Sequence, residues 1–422
     1  MKWITGLILW FYAKFFGEPN ERVERFVNNL GIFGLGFVLA KVFSLGFQIY
    51  VGRTLGPAVY GDLSLIIAMA GLFFIPMLFG IDTAMVKYVS SEQSEKKKII
   101  SSGLPIITIF IVASVTVLWL LGDFIAPFFS VSSEIFVLAI ILSLGYAVWI
   151  TFKDISQGLL QIKKTALMEL VWAISSVVLV FAAFTLYSAD MFYAFLAIFI
   201  GYILASFVML PEIIRNVRVK YVDSVWAKRL VKYGAFSLLV MVSATVLINM
   251  DKVFVGMFLG SEAVGIYKAY SLMTTMVTLS LLTIFATVFF PESSMHENKS
   301  NVMSKLWKIF KFLPIYYFGM LFVEYLVVNF GYGYSIDFIY LLIFPLAACV
   351  MVPFTMNNWF AASIGQSGIK LSSYAILSAA IINIVLNIYL IPIYGIEGAI
   401  ISTIIAYFVP NLFLMHKLKS VL

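Results

Sequence analysis

Gly52–Gly61 reads GRTLGPAVYG, and at an offset of 204 positions Gly256–Gly265 reads GMFLGSEAVG. Gly52, Leu55, Gly56 and Gly61 are answered by Gly256, Leu259, Gly260 and Gly265. Each copy lies between two long hydrophobic runs. The pattern reads as a duplicated membrane protein, with a central cavity expected between its two halves.

Composition identifies the solvent. With 62% hydrophobic and only 12% charged residues in 422, no soluble fold could hide the apolar side chains, so much of the surface must meet lipid. Apolar stretches of about 20 residues, each able to cross a hydrocarbon core as a helix, run the length of the chain. Six are read in the first half: Gly31–Val51, Val59–Ile81, Gly103–Leu121, Ile135–Ile155, Ala166–Tyr187 and Met191–Ile213. Six follow in the second: Tyr233–Leu259, Val264–Phe290, Phe312–Phe330, Ile336–Ile364, Leu371–Ile391 and Gly395–Leu414.

The expected fold is an all-α polytopic membrane protein, twelve transmembrane helices in two parallel six-helix repeats around a cavity. Six crossings return the chain to its starting side, so the halves are related by an axis along the membrane normal. The expected organisation is a cytoplasmic or interfacial segment 1–30, an N-lobe 31–213, a basic linker 214–232, a C-lobe 233–416 and a tail 417–422.

Lysine and arginine orient the chain. All but four of the 28 basic residues fall on one set of loops, including Lys96–Lys98 and the Arg215–Lys232 linker. The positive-inside rule makes those loops, and both termini, cytoplasmic in a cell membrane. The +7 net charge is thereby a topology signal and not a nucleic-acid surface. Ile4–Ala13 is too short and lacks a cleavage site for a signal peptide, and reads as an interfacial amphipathic helix.

The four remaining bases are Lys41, Arg53, Lys252 and Lys268. A charge inside the bilayer is costly unless paired or wetted, so each requires a reason. Lys41, Ser44 and Gln48 share one helical face; the repeat offset carries Lys41 to Thr245, Leu45 to Asn249 and Gln48 to Lys252, which form a second stripe. Both stripes are expected to line a positive cavity with Lys41, Gln48, Asn249 and Lys252, and with Arg53 and Lys268 nearer its mouth. The alternative is structural: pairing with Asp251, Glu324 or a carbonyl, and for Arg53 anchoring at a helix end. Asp251 and Glu324 are ion-coupling candidates for sodium or a proton. Asp82 and Glu169, near cytoplasmic helix ends, are expected to be exposed.

Catalysis finds no constellation. His296 and His416 form no metal-ligand pair, the single Cys349 excludes an intrachain disulfide or multi-thiolate site, and no GxxxxGK[ST] loop is present. The expectation is a non-enzyme with no cofactor beyond a coupling ion.

The LGPAVYG turn, the block MDKVFVGMFLGSEAVGIYKAY from Met250 to Tyr270 and IPIYGIEGAI from Ile391 to Ile400 resemble the polysaccharide-biosynthesis (Wzx-like) flippases. These belong to the multidrug/oligosaccharidyl-lipid/polysaccharide exporter (MOP) superfamily, and the likeness runs from about Asn28 onward. It implies two six-helix lobes, alternating access, a lipid-linked oligosaccharide as substrate, and glycan polymerase or transferase machinery as company. Asp251 occupies the position of an acidic residue in the family's seventh-helix block. The competing reading is an ion-coupled exporter of organic cations in the same superfamily; a membrane scaffold ranks last.

Overall fold

The computed structural model describes Gly6, residues 21–283 and residues 299–421. Of the interfacial helix expected at Ile4–Ala13 only Gly6 is described, and His296 lies outside the described residues. Among these, every regular element is helical, as lipid demands of a backbone that must satisfy its own hydrogen bonds. The chain divides into two compact units, Leu35–Gly265, and Ile266–Leu422 with the residues before Leu35.

The unit Leu35–Gly265 contains most of α1 (Glu21–Leu78), then α2 (Ile81–Ser91), α3 (Lys96–Leu120), α4 (Gly122–Phe128), α5 (Ser133–Gly158), α6 (Ile162–Leu186), α7 (Met191–Phe207), α8 (Leu210–Asn216) and α9 (Ser224–Leu259). α10 (Ser261–Leu272) begins in it. The described chain continues through α11 (Lys299–Phe310), α12 (Leu313–Leu326), α13 (Phe338–Ser363), α14 (Gln366–Tyr394) and α15 (Ile396–Val421). π-helical turns follow α10 at Met273–Val277 and α12 at Val327–Tyr332.

Nine helices among the described residues are long and apolar enough to cross a membrane, or ten if α7 and α8, bent by 48°, form one span. One of the nine, Gly36–Leu78, has 43 residues. At 1.5 Å per residue it is about 65 Å long, roughly twice a hydrocarbon core. It breaks at Gly56, whose φ of 74° and ψ of 169° suit glycine, and Pro57 opens the next helical stretch. The expected eighth span, Val264–Phe290, is described only as far as Thr283.

Short polar residues mark the helix starts. Ser132 accepts from the Ile135 N–H at 3.2 Å, Asp190 from Phe192 at 2.7 Å, Asp223 from Val225 at 2.7 Å and Asp337 from Ile339 at 2.8 Å. Each side chain occupies an orphan donor of the first turn.

Within Leu35–Gly265, α2 packs on α5, α9 and α3, and α7 on α6 and α5. Tyr60, Leu63, Ile66, Met69 and Met77 are fully buried there. The segment after α8 is tied to α3: Ser101 Oγ accepts from the Arg218 N–H and Ser102 Oγ from the Asp223 N–H. Within the other unit, α15 packs on α14 and α13, and α12 on α13, around Tyr270, Tyr332, Phe344 and Phe360. Ile109, Val112 and Leu120 on α3 are exposed, as are Ile315 and Phe318 on α12, which suits helices whose solvent is lipid.

Candidate functional site

The two copies of the turn meet each other. A Cβ added to Gly61 would lie 1.7 Å from the Ser261 carbonyl oxygen, and one added to Gly265 would lie 1.9 Å from that of Pro57. Pro57 and Ser261 hold the same place in the two copies, so the contact is reciprocal, as at a two-fold axis. Glycine is required because only a hydrogen fits against a carbonyl at this range. Gly260 repeats the conformation of Gly56, with φ of 85° and ψ of 175°. The Ser261 hydroxyl also donates to Asp62 Oδ1.

This contact joins α1, which carries one polar stripe, to α10, which directly follows the helix that carries the other. On α1, Lys41 is half-buried with Nζ 4.9 Å from the centre of the Phe37 ring. Gln48 Oε1 accepts from the Tyr60 hydroxyl at 2.7 Å, and Arg53 is exposed. On α9, Lys252 is 8% exposed and its ammonium donates to the Ile248 carbonyl one turn earlier. Asp251 is buried and Asn249 half-buried. Lys268, on α10, is half-buried.

One cavity in Leu35–Gly265 has a volume of about 270 Å³. Phe74, Tyr146, Tyr202, Thr245 and Asn249 give it aromatic and amide walls. Asn249 reaches it because residue 71 is glycine: a Cβ there would stand 2.9 Å from Asn249 Nδ2. The stripe through Thr245 and Asn249 thus does line a cavity. Lys41, Gln48, Arg53 and Lys252 are not among its lining residues, and no base is. The aromatic wall continues inward, with Trp172 stacked on Tyr202 at 5.4 Å and 4°, and Trp149 5.6 Å from Tyr146. Such a neutral surface suits the apolar face of a sugar ring or another flat, partly polar group.

Behind the aromatic wall is a charged cluster. Lys153 Nζ lies 3.1 Å from Glu169 Oε1 and 4.3 Å from the centre of the Trp149 ring. Asp82 and Glu169, expected to be exposed, are both buried, at 3% and 7% exposure. The correction has a packing cause: α2, which carries Asp82, lies against α5, and Glu169 on α6 turns onto Lys153 of α5. Hydropathy along a single helix does not report these neighbours.

In the unit from Ile266, Glu324 on α12 is fully buried, and neither carboxyl oxygen has a hydrogen-bond partner among the described residues. A charge there would have to be balanced by a counterion or removed by a proton. The same unit buries amides that sequence reasoning overlooked. Asn357 Nδ2 donates to Asn411 Oδ1 at 2.9 Å, the Ser372 hydroxyl to Asn358 Oδ1 at 3.0 Å, and Asn387 Nδ2 to Asn383 Oδ1 at 3.1 Å. The i, i+4 asparagines 383 and 387 inside an apolar helix are the signal that could have found them.

Residues 26–297 match the family model described as polysaccharide biosynthesis protein. No curated protein matches the chain. Among solved structures, the inward closed conformation of the lipid II flippase MurJ aligns with a TM-score of 0.72 at 20% identity, covering 92% of this chain and 87% of that one. An inward-facing multidrug resistance MATE family transporter of the MOP superfamily aligns at 0.70 and 15% identity, covering 90% and 95%. A MOP superfamily transporter from Pyrococcus furiosus, whose binding pocket is described as reversed in polarity, aligns at 0.60 and 14%, covering 94% and 96%. The chain has the fold of MOP transporters.

Proposed function

Because the chain belongs to the polysaccharide biosynthesis protein family, we propose that it is a flippase that moves a polyprenyl-(pyro)phosphate-linked oligosaccharide from the cytoplasmic to the outer leaflet. It does so by alternating access, for assembly of a cell-surface glycan, and makes or breaks no covalent bond. The family match across residues 26–297 carries this reading, and the likeness to a lipid II flippase supports it.

The proposed substrate contacts are Lys41, Gln48, Arg53, Asn249, Lys252 and Lys268, with the bases serving the anionic linkage. The aromatic cavity beside Asn249 suits the sugars. Asp251 and Glu324 are the proposed sites of coupling to sodium or a proton. The basic loops and both termini are assigned to the cytoplasm, where glycan polymerase or transferase machinery would work with the flippase on the finished lipid-linked unit.

Purified protein in vesicles should move a lipid-linked oligosaccharide between leaflets, and cells lacking the gene should accumulate it facing the cytoplasm. Lys41→Ala and Lys252→Ala should each lower apparent affinity about tenfold or more at normal protein levels, the scale of a lost charge-assisted contact of about 1.5–3 kcal/mol. Wild-type transport by both variants would remove these lysines from the site. The second reading, an organic-cation exporter, is favoured by the uncharged aromatic cavity and the MATE likeness. Loss of cationic-dye efflux with undisturbed glycan export in cells lacking the gene would establish it instead. Labelling of Ser132→Cys, with Cys349 replaced, only from inside would overturn the topology.

A further inference from the structure

Ile81 opens α2 directly after Gly80, whose φ of 70° is left-handed, and Asp82 follows it, with the first-turn N–H groups of Asp82 and Thr83 against its carboxylate. The residue is 3% exposed, and its Oδ1 has no donor in reach among the described residues. The side chain that lies within hydrogen-bonding distance of it is another carboxyl, that of Asp154 on α5. Two ionised carboxylates cannot share such a place out of water, because each raises the cost of charging the other.

The neighbours do not relieve them. On α5, Lys153 is the nearest base, but its ammonium is engaged 3.1 Å from Glu169 of α6 and over the ring of Trp149. Tyr146 of α5 also faces the cluster. From α3, Lys98 is held 2.8 Å from Glu95, and from α9, Tyr233 meets Lys87 further along α2 at 4.0 Å. Burial outweighs the α2 backbone hydrogen bonds and holds the Asp82 carboxyl above the usual carboxylate range.

We propose that Asp82 and Asp154 form a proton-binding site that holds one proton between two carboxyls at the packing face of α2 and α5, and that transport changes its occupancy. With the proton present, one carboxyl donates to the other and both are satisfied. With it gone, Asp82, Asp154 and Glu169 compete for the single ammonium of Lys153. Occupancy thus sets whether Lys153 stays on α6 or turns to its own helix, which ties the proton to the packing of α5 on α6. A proton fits better than sodium, since a hard cation needs a fuller shell of oxygens and would lie beside an ammonium. The transport half of this inference rests on the flippase reading; the site does not.

The test is infrared difference spectroscopy on the full chain in lipid vesicles across a pH titration. The wild type should show a protonated-carboxyl band that is lost as pH rises, and Asp82→Asn and Asp154→Asn should each abolish it. Glu324→Gln, at the other buried carboxyl, should leave it. In a Glu324→Gln background, which removes the other buried carboxyl's own band, a band that survives both asparagine variants overturns the site. Its removal by sodium at constant pH, in the wild type alone, would make the occupant sodium and also overturn the proposal. In the same vesicles, movement of a lipid-linked oligosaccharide should depend on a pH gradient in the wild type and lose that dependence in Asp82→Asn. Equal dependence in both overturns the coupling. If the wild type moves no such lipid, the flippase reading fails and the band alone decides the site.

Discussion

α5 and α13 are both 26 residues long, and both start from a capping side chain, Ser132 in one and Asp337 in the other. Near their C-terminal ends they bury different chemistry. α5 carries Lys153 and Asp154 and pairs the lysine with Glu169. α13 carries Asn357 and Asn358, bonded to Asn411 and Ser372. The two helices solve one problem, satisfying a polar side chain away from water, with ions on α5 and with neutral amides on α13. Ions change state with pH and amides do not, so pH sensitivity in these helices belongs to α5.

The reciprocal turns show the opposite behaviour. Gly56 and Gly260 take the same backbone conformation, and Gly61 and Gly265 each admit the other copy's carbonyl. Where backbone meets backbone the two copies agree; where side chains meet, they have parted.

Removing one ion from the α5 cluster should have the largest effect. Lys153→Met strands a buried Glu169 and should cost about 3–5 kcal/mol in unfolding measurements, and Lys153→Met with Glu169→Leu should recover much of it. Full stability of the single variant would mean that the pair is wetted and the contrast with α13 is false. Next come Gly61→Ala and Gly265→Ala, each expected to cost up to about 3 kcal/mol because a carbonyl must give way. Gly46→Ala, with nothing within 4 Å, should stay within about 0.5 kcal/mol. Unequal losses at 61 and 265, read by thermal unfolding in detergent, would break the reciprocity of the turns.

On the neutral side, Asn358→Ala removes the acceptor of Ser372 and should cost about 1–2 kcal/mol, with no dependence on pH. The smallest change at low pH is expected from Asp82→Asn, which imitates the protonated carboxyl. Since folding raises the Asp82 pKa, its stabilisation is complete below the unfolded carboxyl pKa and is lost as pH rises through the folded value. The wild type should therefore lose melting temperature on the alkaline side relative to Asp82→Asn. Parallel pH profiles would show that Asp82 is charged throughout.

Much of this was legible in order along the chain. Hydropathy reported the membrane, since crossing a bilayer is a property of about 20 consecutive residues. The repeated glycines at 56, 61, 260 and 265 announced two special turns, because left-handed backbone and close approach both demand glycine at the position itself. The stripe through Thr245 and Asn249 reached a cavity for the same local reason: helical spacing sets which residues share a face. Burial of charge was another matter. Asp82 and Glu169 look like exposed helix ends, and Asp154 follows a lysine that reads as a loop residue. Whether such a group meets water depends on helices distant in sequence: α5 laid over α2, and α6 turned onto Lys153. By itself the sequence determined the solvent, the all-helical class and the turns, which are sums over near neighbours. Only the tertiary structure decided which carboxyls are shut away together, because a carboxyl's environment is set by whatever packs across from it.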